Sequence, residues 1–146
     1  MQYVVPQSAR ASVALLLLRL IIGAAFIFHG MPKIAHPSSW MSAMMGSHAF
    51  APPWLQVIVS IVEFGGGIAL ILGFLTRLAA FGILVDMAVA ILRVHLPMGG
   101  HFVGGRMSFE TPLLYLVAMI AFLVAGAGMY SIDALLAHRV RRVALG

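Results

Sequence analysis

The chain has 146 residues, of which 62% are hydrophobic and 9% charged, whereas soluble domains run roughly 45–50% apolar and about 25% charged. Nine basic and four acidic side chains cannot supply the polar shell of a water-soluble globule, so the surface must be covered by lipid. The formal net charge of +5 comes without a basic stripe interleaved with stacking aromatics, which argues against a nucleic-acid partner, and the lack of cysteine excludes disulfides, thiolate nucleophiles and sulfur-ligated clusters.

At about 20 apolar residues per bilayer crossing, the length accommodates four transmembrane helices and no separate soluble catalytic domain. The chain reads as one membrane domain over 1–146. Met1 to Arg10 form a short polar and basic tail, and the apolar run after it predicts a first helix over about 11–30. Such a start imitates a secretory signal, but His29-Gly30-Met31-Pro32-Lys33 offers no small-x-small cleavage pattern, so the helix is read as uncleaved. Pro32 disfavours helix at Met31 and closes the segment. Residues 32–53, rich in Pro, Ser, Met and His, with Trp40 and Trp54 near the ends, predict an interfacial loop holding one short amphipathic helix. The second span, 54–75, and the third, 76–96, are joined by a tight turn at Thr76-Arg77, which makes them antiparallel neighbours. Pro97 to Phe109 is a glycine-rich loop without the strand and Lys-Ser/Thr of a phosphate cradle. The fourth span, 111–131, carries no formal charge and is the clearest, and a basic tail with Arg139, Arg141 and Arg142 follows it.

An even number of spans places both termini and the Arg77 turn on one side, together with Arg10, Arg139, Arg141 and Arg142. The other side holds Lys33 and Arg106, with Arg93 about one turn inside it. This imbalance predicts that both termini are cytoplasmic. His29, His36, His48, His95, His101 and Glu110 then lie at or near the outer face.

Counting at about 1.5 Å per residue puts Arg19, Glu63 and Asp86 near the bilayer midplane. A charged side chain there costs roughly 2.5–3.5 kcal/mol on insertion scales, so the three are expected to face the bundle interior and one another. Two carboxylates and one guanidinium leave a surplus negative charge, unless one acid holds a proton or Arg93, on the same helix face as Asp86, joins them. Two readings stand side by side: Arg19 and Glu63 as a structural pair that fixes register, or the group as the lining of a head-group pocket or proton path. His29 and His95 end the first and third helices and Glu110 opens the fourth, as interfacial hydrogen-bonding groups. With no His-x-x-x-His spacing, no metal site is expected. Met41, Met44 and Met45, near His48, read as an apolar face dipping into lipid. Gly65-Gly66-Gly67 reads as a close helix contact.

Arg19-Leu-Ile-Ile-Gly-Ala-Ala-Phe-Ile-Phe-His29-Gly30-Met-Pro-Lys33, then Glu63-Phe-Gly-Gly-Gly and Leu72-Gly73-Phe-Leu-Thr76-Arg77, resemble the DoxX family of small four-helix membrane proteins. His95, Glu110 and Gly126-Ala-Gly128-Met-Tyr-Ser131-Ile-Asp133 are similar to the rest of its pattern, so the resemblance covers roughly 11–136. It implies a bacterial inner-membrane bundle related to the quinone-linked thiosulfate oxidoreductase membrane subunit. In other members it implies complexes that join soluble thiol and superoxide-handling enzymes of oxidative stress. The chain departs from the family in having Ala127 where proline is usual, and Asp86 and Arg93 fall outside the family pattern.

The function expected from residues and resemblance together is a membrane subunit of an oxidoreductase system that binds a quinone or similar lipophilic head group between the helices. Arg19 orients a carbonyl oxygen, Glu63 and Asp86 exchange protons, Arg93 adds to the binding site, and His29, His95 and Glu110 connect the pocket to the outer face. Lacking a metal or flavin, this version requires a soluble partner from redox or sulfur metabolism. One rival is a non-catalytic scaffold recruiting soluble proteins. Another is a small proton-coupled transporter, which at this length needs a homo-oligomer to supply paired repeats.

Overall fold

Long apolar runs in lipid leave the backbone only its own groups to bond with, and the chain is accordingly built of helices. The computed structural model describes residues 8–105 and 107–145. The tail before Ser8 lies outside the described residues, and so does Arg106, a member of the charge-based orientation argument, as do the side chains of Arg141 and Arg142.

Helix α1 spans Ala9–Ala35, and its first turn is capped by the Ser8 hydroxyl, which accepts from the Ala11 N–H at 3.2 Å. Its buried residues Ser12, Leu15, Arg19, Ile22, Gly23, Phe26 and Gly30 recur at three- and four-residue steps, the spacing of one helix face. Contrary to the expected stop at Met31, α1 runs through Pro32. A proline this close to a helix end removes a single N–H from the ladder. The last turn is held from outside, where Gly30 packs on the backbone of Phe64 and Lys33 reaches Glu63.

The expected loop after α1 does contain a short helix, α2 (Trp40–Met45), followed by a single tight turn at Gly46–His48. It packs on the start of α3 (Pro53–Leu72): the Trp40 indole donates to the Gln56 carbonyl at 3.1 Å, and the Met41 N–H donates to the Gln56 side chain at 3.0 Å. Of the three methionines expected in lipid, Met44 is exposed but Met41 is buried beneath this contact.

α3 ends at Gly73 rather than at residue 75, because Gly73 turns left-handed at φ 64 and Leu75 follows it at φ 49. Helix α4 (Thr76–Val89) then begins and continues as a wider helical turn over Ala90–His95. α3 and α4 are the antiparallel pair that the short connection requires. α5 covers Glu110–Ala125, 16 residues, against an expectation of 111–131. Its end is set by Gly126 and Gly128, at φ 78 and 82, positions where a side chain would be strained. The basic tail is itself a helix, α6 (Ile132–Leu145), opened by the Ser131 hydroxyl, which accepts from the Ala134 N–H at 3.1 Å.

Among the described residues three helical stretches are long and apolar enough to cross a membrane: Ala9–Ala35, Pro53–Leu72 and Thr76–His95. α5 is apolar but shorter. α1 packs tightly against α3, α3 against α4 and α4 against α5, and the Phe26 and Tyr115 rings, 5.0 Å apart, join α5 back to α1. The core between them holds Leu15, Ile22, Phe26, Leu70, Ala80, Ile83, Met87, Met119 and Phe122. The glycine run acts as read. A methyl on Gly67 would strike Gly23 and Ile27, and one on Gly66 would press on Ile83.

Candidate functional site

The polar groups that the sequence places at one depth separate into two clusters. At the level of the α3–α4 turn, Arg19 is fully buried and donates to the backbone carbonyls of Leu70, at 3.4 Å, and Tyr130. The charge of Asp133 lies close by. Asp133 itself binds the turn, accepting from the Leu75 N–H at 2.8 Å and the Thr76 N–H at 3.0 Å, while its own N–H donates to the Gly73 carbonyl at 2.9 Å. Arg19 therefore does not pair with Glu63, and it does not sit at mid-span. The residue count that put it there took the apolar run from position 11 as the span, whereas Arg19 lies at the level of Leu70 and Gly73, where α3 ends.

Glu63 is the eleventh of the twenty residues of α3 and is buried. Its Oε1 accepts from the Lys33 ammonium, a partner the sequence reading left at the outer surface because it ended α1 before Pro32. The same ammonium stands 4.4 Å from the centre of the Trp40 ring, a cation–π contact. Asp86, on α4, lies against Glu63 at hydrogen-bonding range. Glu63 Oε2 and Asp86 Oδ2 are buried without a donor among the described residues. Arg19 is thus replaced at this cluster by Lys33, and the set is one ammonium, two carboxyls and an aromatic face.

Arg93 does not join it; its guanidinium lies over Phe50, 5.3 Å from the ring centre, and so faces the segment between α2 and α3. His29 stands near the Phe26 and Tyr115 rings, with 6.4 Å between the His29 and Tyr115 centres. His95 Nδ1 is 3.0 Å from the Met107 carbonyl and anchors the glycine-rich loop, while Glu110 opens α5 with its N–H bonded to the Ser108 hydroxyl at 3.2 Å. Among the described residues no group of His, Asp or Glu converges as metal ligands. An apolar cleft of about 230 Å³, lined by Pro32, His36, Ser39, Trp40, Ala43 and Met44, lies between the end of α1 and α2 and shares Trp40 with the Lys33 cluster.

A buried Glu at the glycine run of α3, a Lys at the end of α1 and a Leu-Thr-Arg turn occur within the stretch 14–96, which matches the DoxX family model. The chain belongs to the DoxX family. Similar proteins include an uncharacterized protein of Haemophilus influenzae, 34% identical over 117 residues that make up 80% of this chain and 85% of that one. An uncharacterized membrane protein of Mycobacterium tuberculosis is 30% identical over 84% of this chain and 80% of its own length. Inner membrane protein YqjF of Escherichia coli is 32% identical over 85% of this chain and 92% of its own length. No solved structure matches. With its apolar helices and these relatives, this DoxX protein is a multi-pass protein of the bacterial inner membrane.

Proposed function

We propose that this chain is the membrane subunit of an oxidoreductase system and that a quinone-type head group binds at Lys33, Glu63 and Asp86. The observation that carries this reading is the pair of donorless buried oxygens, Glu63 Oε2 and Asp86 Oδ2, beside a single ammonium in the middle of the helices. Buried acceptors without donors are costly, and a ligand that brings hydroxyl hydrogens satisfies both at once. The same cluster offers the Lys33 N–H groups to a carbonyl oxygen, so both redox forms of such a ring find a partner.

When bound, a quinone supplies two-electron chemistry coupled to two protons. The residues supply the rest. Lys33 takes the orienting role that sequence reasoning gave to Arg19, and Glu63 receives or returns a proton at Oε2. One proton held between Glu63 and Asp86 makes the set of Lys33 and the two carboxyls neutral, and from that state the pair takes up or gives up one proton, the charge of the cluster changing by one each time. Trp40 lies over the ammonium and narrows the access of water to it. The cleft on the other side of Trp40 gives an apolar approach for a lipid-soluble molecule. Arg19 and Asp133 hold helix ends and stay outside the reaction.

The assembly this implies has four crossings with both termini in the cytoplasm, α5 being the fourth, and a soluble redox or sulfur-metabolism partner to pass electrons on. The test is to purify the protein in its native lipids, extract small molecules and identify them by mass spectrometry, alongside Glu63→Gln and Lys33→Met. Quinone retained in stoichiometric amount by the native chain and lost from both variants supports the site. Its absence from the native preparation overturns the proposal and favours a scaffold role.

A further inference from the structure

α6 leaves the bundle at the level of the α3–α4 turn, where the crossing helices end, and its start is fixed by the Ser131 cap and by Asp133 bound to Leu75 and Thr76. Beyond that anchor the side chains of Leu135 to Val140 are exposed. Ile132, Leu136 and Val140 follow at four-residue steps and so form one stripe, and Leu136 and Val140 are 46% and 69% exposed. Arg139 stands exposed beside Ile132 at the edge of this stripe and His138 on the opposite face of the helix, and Arg141 and Arg142 follow in sequence. The one acid of the helix, Asp133, is turned back onto the turn, so nothing within α6 neutralises these charges.

An apolar stripe left in water forfeits its burial, and arginines drawn into hydrocarbon are costly. Only the boundary between the two accommodates both faces of α6. We infer that α6 lies in the plane of the membrane interface and binds anionic phospholipid head groups through its basic flank. The occupant follows from charge: an uncompensated basic face beside the end of a membrane bundle meets the lipid surface of its own bilayer, and anionic head groups complement it. This inference stands independently of the quinone reading.

The test uses the full chain in lipid nanodiscs, made either of phosphatidylcholine alone or with phosphatidylglycerol added, with amide hydrogen exchange read helix by helix. Exchange in α6 is expected to be about tenfold slower with the anionic lipid, to lose that protection in an Arg139→Gln, Arg141→Gln, Arg142→Gln variant, and to leave α3 and α4 unchanged throughout. Equal exchange in the two lipids, whether fast or slow, overturns the inference. Fast exchange in both, slowed only by an added soluble protein, overturns it in favour of a protein partner.

Discussion

Taking away the Lys33 ammonium leaves the Glu63 and Asp86 carboxyls against each other inside the helices, with the Trp40 ring where their counter-charge stood. Breaking a buried pair from one side typically costs about 3–5 kcal/mol, whereas removing both partners is far milder. Lys33→Met is therefore expected to lower the unfolding temperature in detergent sharply, and adding Glu63→Gln to it to restore most of the loss. A double variant as unstable as the sum of its parts would mean that the two side chains do not interact. Burial of Arg19 and Glu63 and the inward turn of Asp86 were legible because a charge within an apolar run has to face inward. Their partners were not, since partnership depends on where a helix ends. The face formed by Ser12, Leu15, Arg19, Ile22, Phe26 and Gly30 continues by its own spacing to Lys33, and that periodicity was the signal that the proline overrode.

Between elements, the α3–α4 connection carries its tension at Leu75, a branched side chain held left-handed at φ 49. Such a conformation costs a non-glycine residue roughly 1–2 kcal/mol. The Asp133 carboxylate offsets it by satisfying two backbone N–H groups at the start of α4. Asp133→Ala is expected to destabilise the protein by about 1–2 kcal/mol, and Leu75→Gly in that background to recover part of this, both read as shifts in thermal unfolding. No recovery would show that the turn's cost lies elsewhere. The turn was visible in the sequence as two apolar runs meeting at Thr76-Arg77, but its latch was not, because no local pattern links an aspartate to a turn so far back in the chain. In the same way the glycines at 126 and 128 were visible as a helix ending, yet the apolar residues around them made the fourth helix read longer than its 16 residues.

For the whole molecule, composition alone settled that lipid surrounds the chain, and residue spacing gave the order of the helices. Orientation rests on the distribution of arginine and lysine. Because the chain has no cysteine, single cysteines introduced at exposed His48 and Arg139 report it without background: a membrane-impermeant thiol reagent applied to intact cells is expected to label the first and spare the second. The reverse pattern would invert the topology, and labelling of both would remove α5 as a crossing. At about 24 Å, α5 is shorter than a hydrocarbon core of about 30 Å, so its membrane stretch must be completed by the segments at its ends or by a thinner bilayer around it. The latch of the middle turn also dictates an order of biogenesis. A ribosome delivers α3 and α4 to the insertion machinery well before it makes Asp133, which lies 58 residues beyond Leu75. Until that carboxylate emerges, the hairpin is threaded but unlocked, so a helix synthesised much later closes the first half of the protein, and a chain released before it leaves the ribosome with its centre still open.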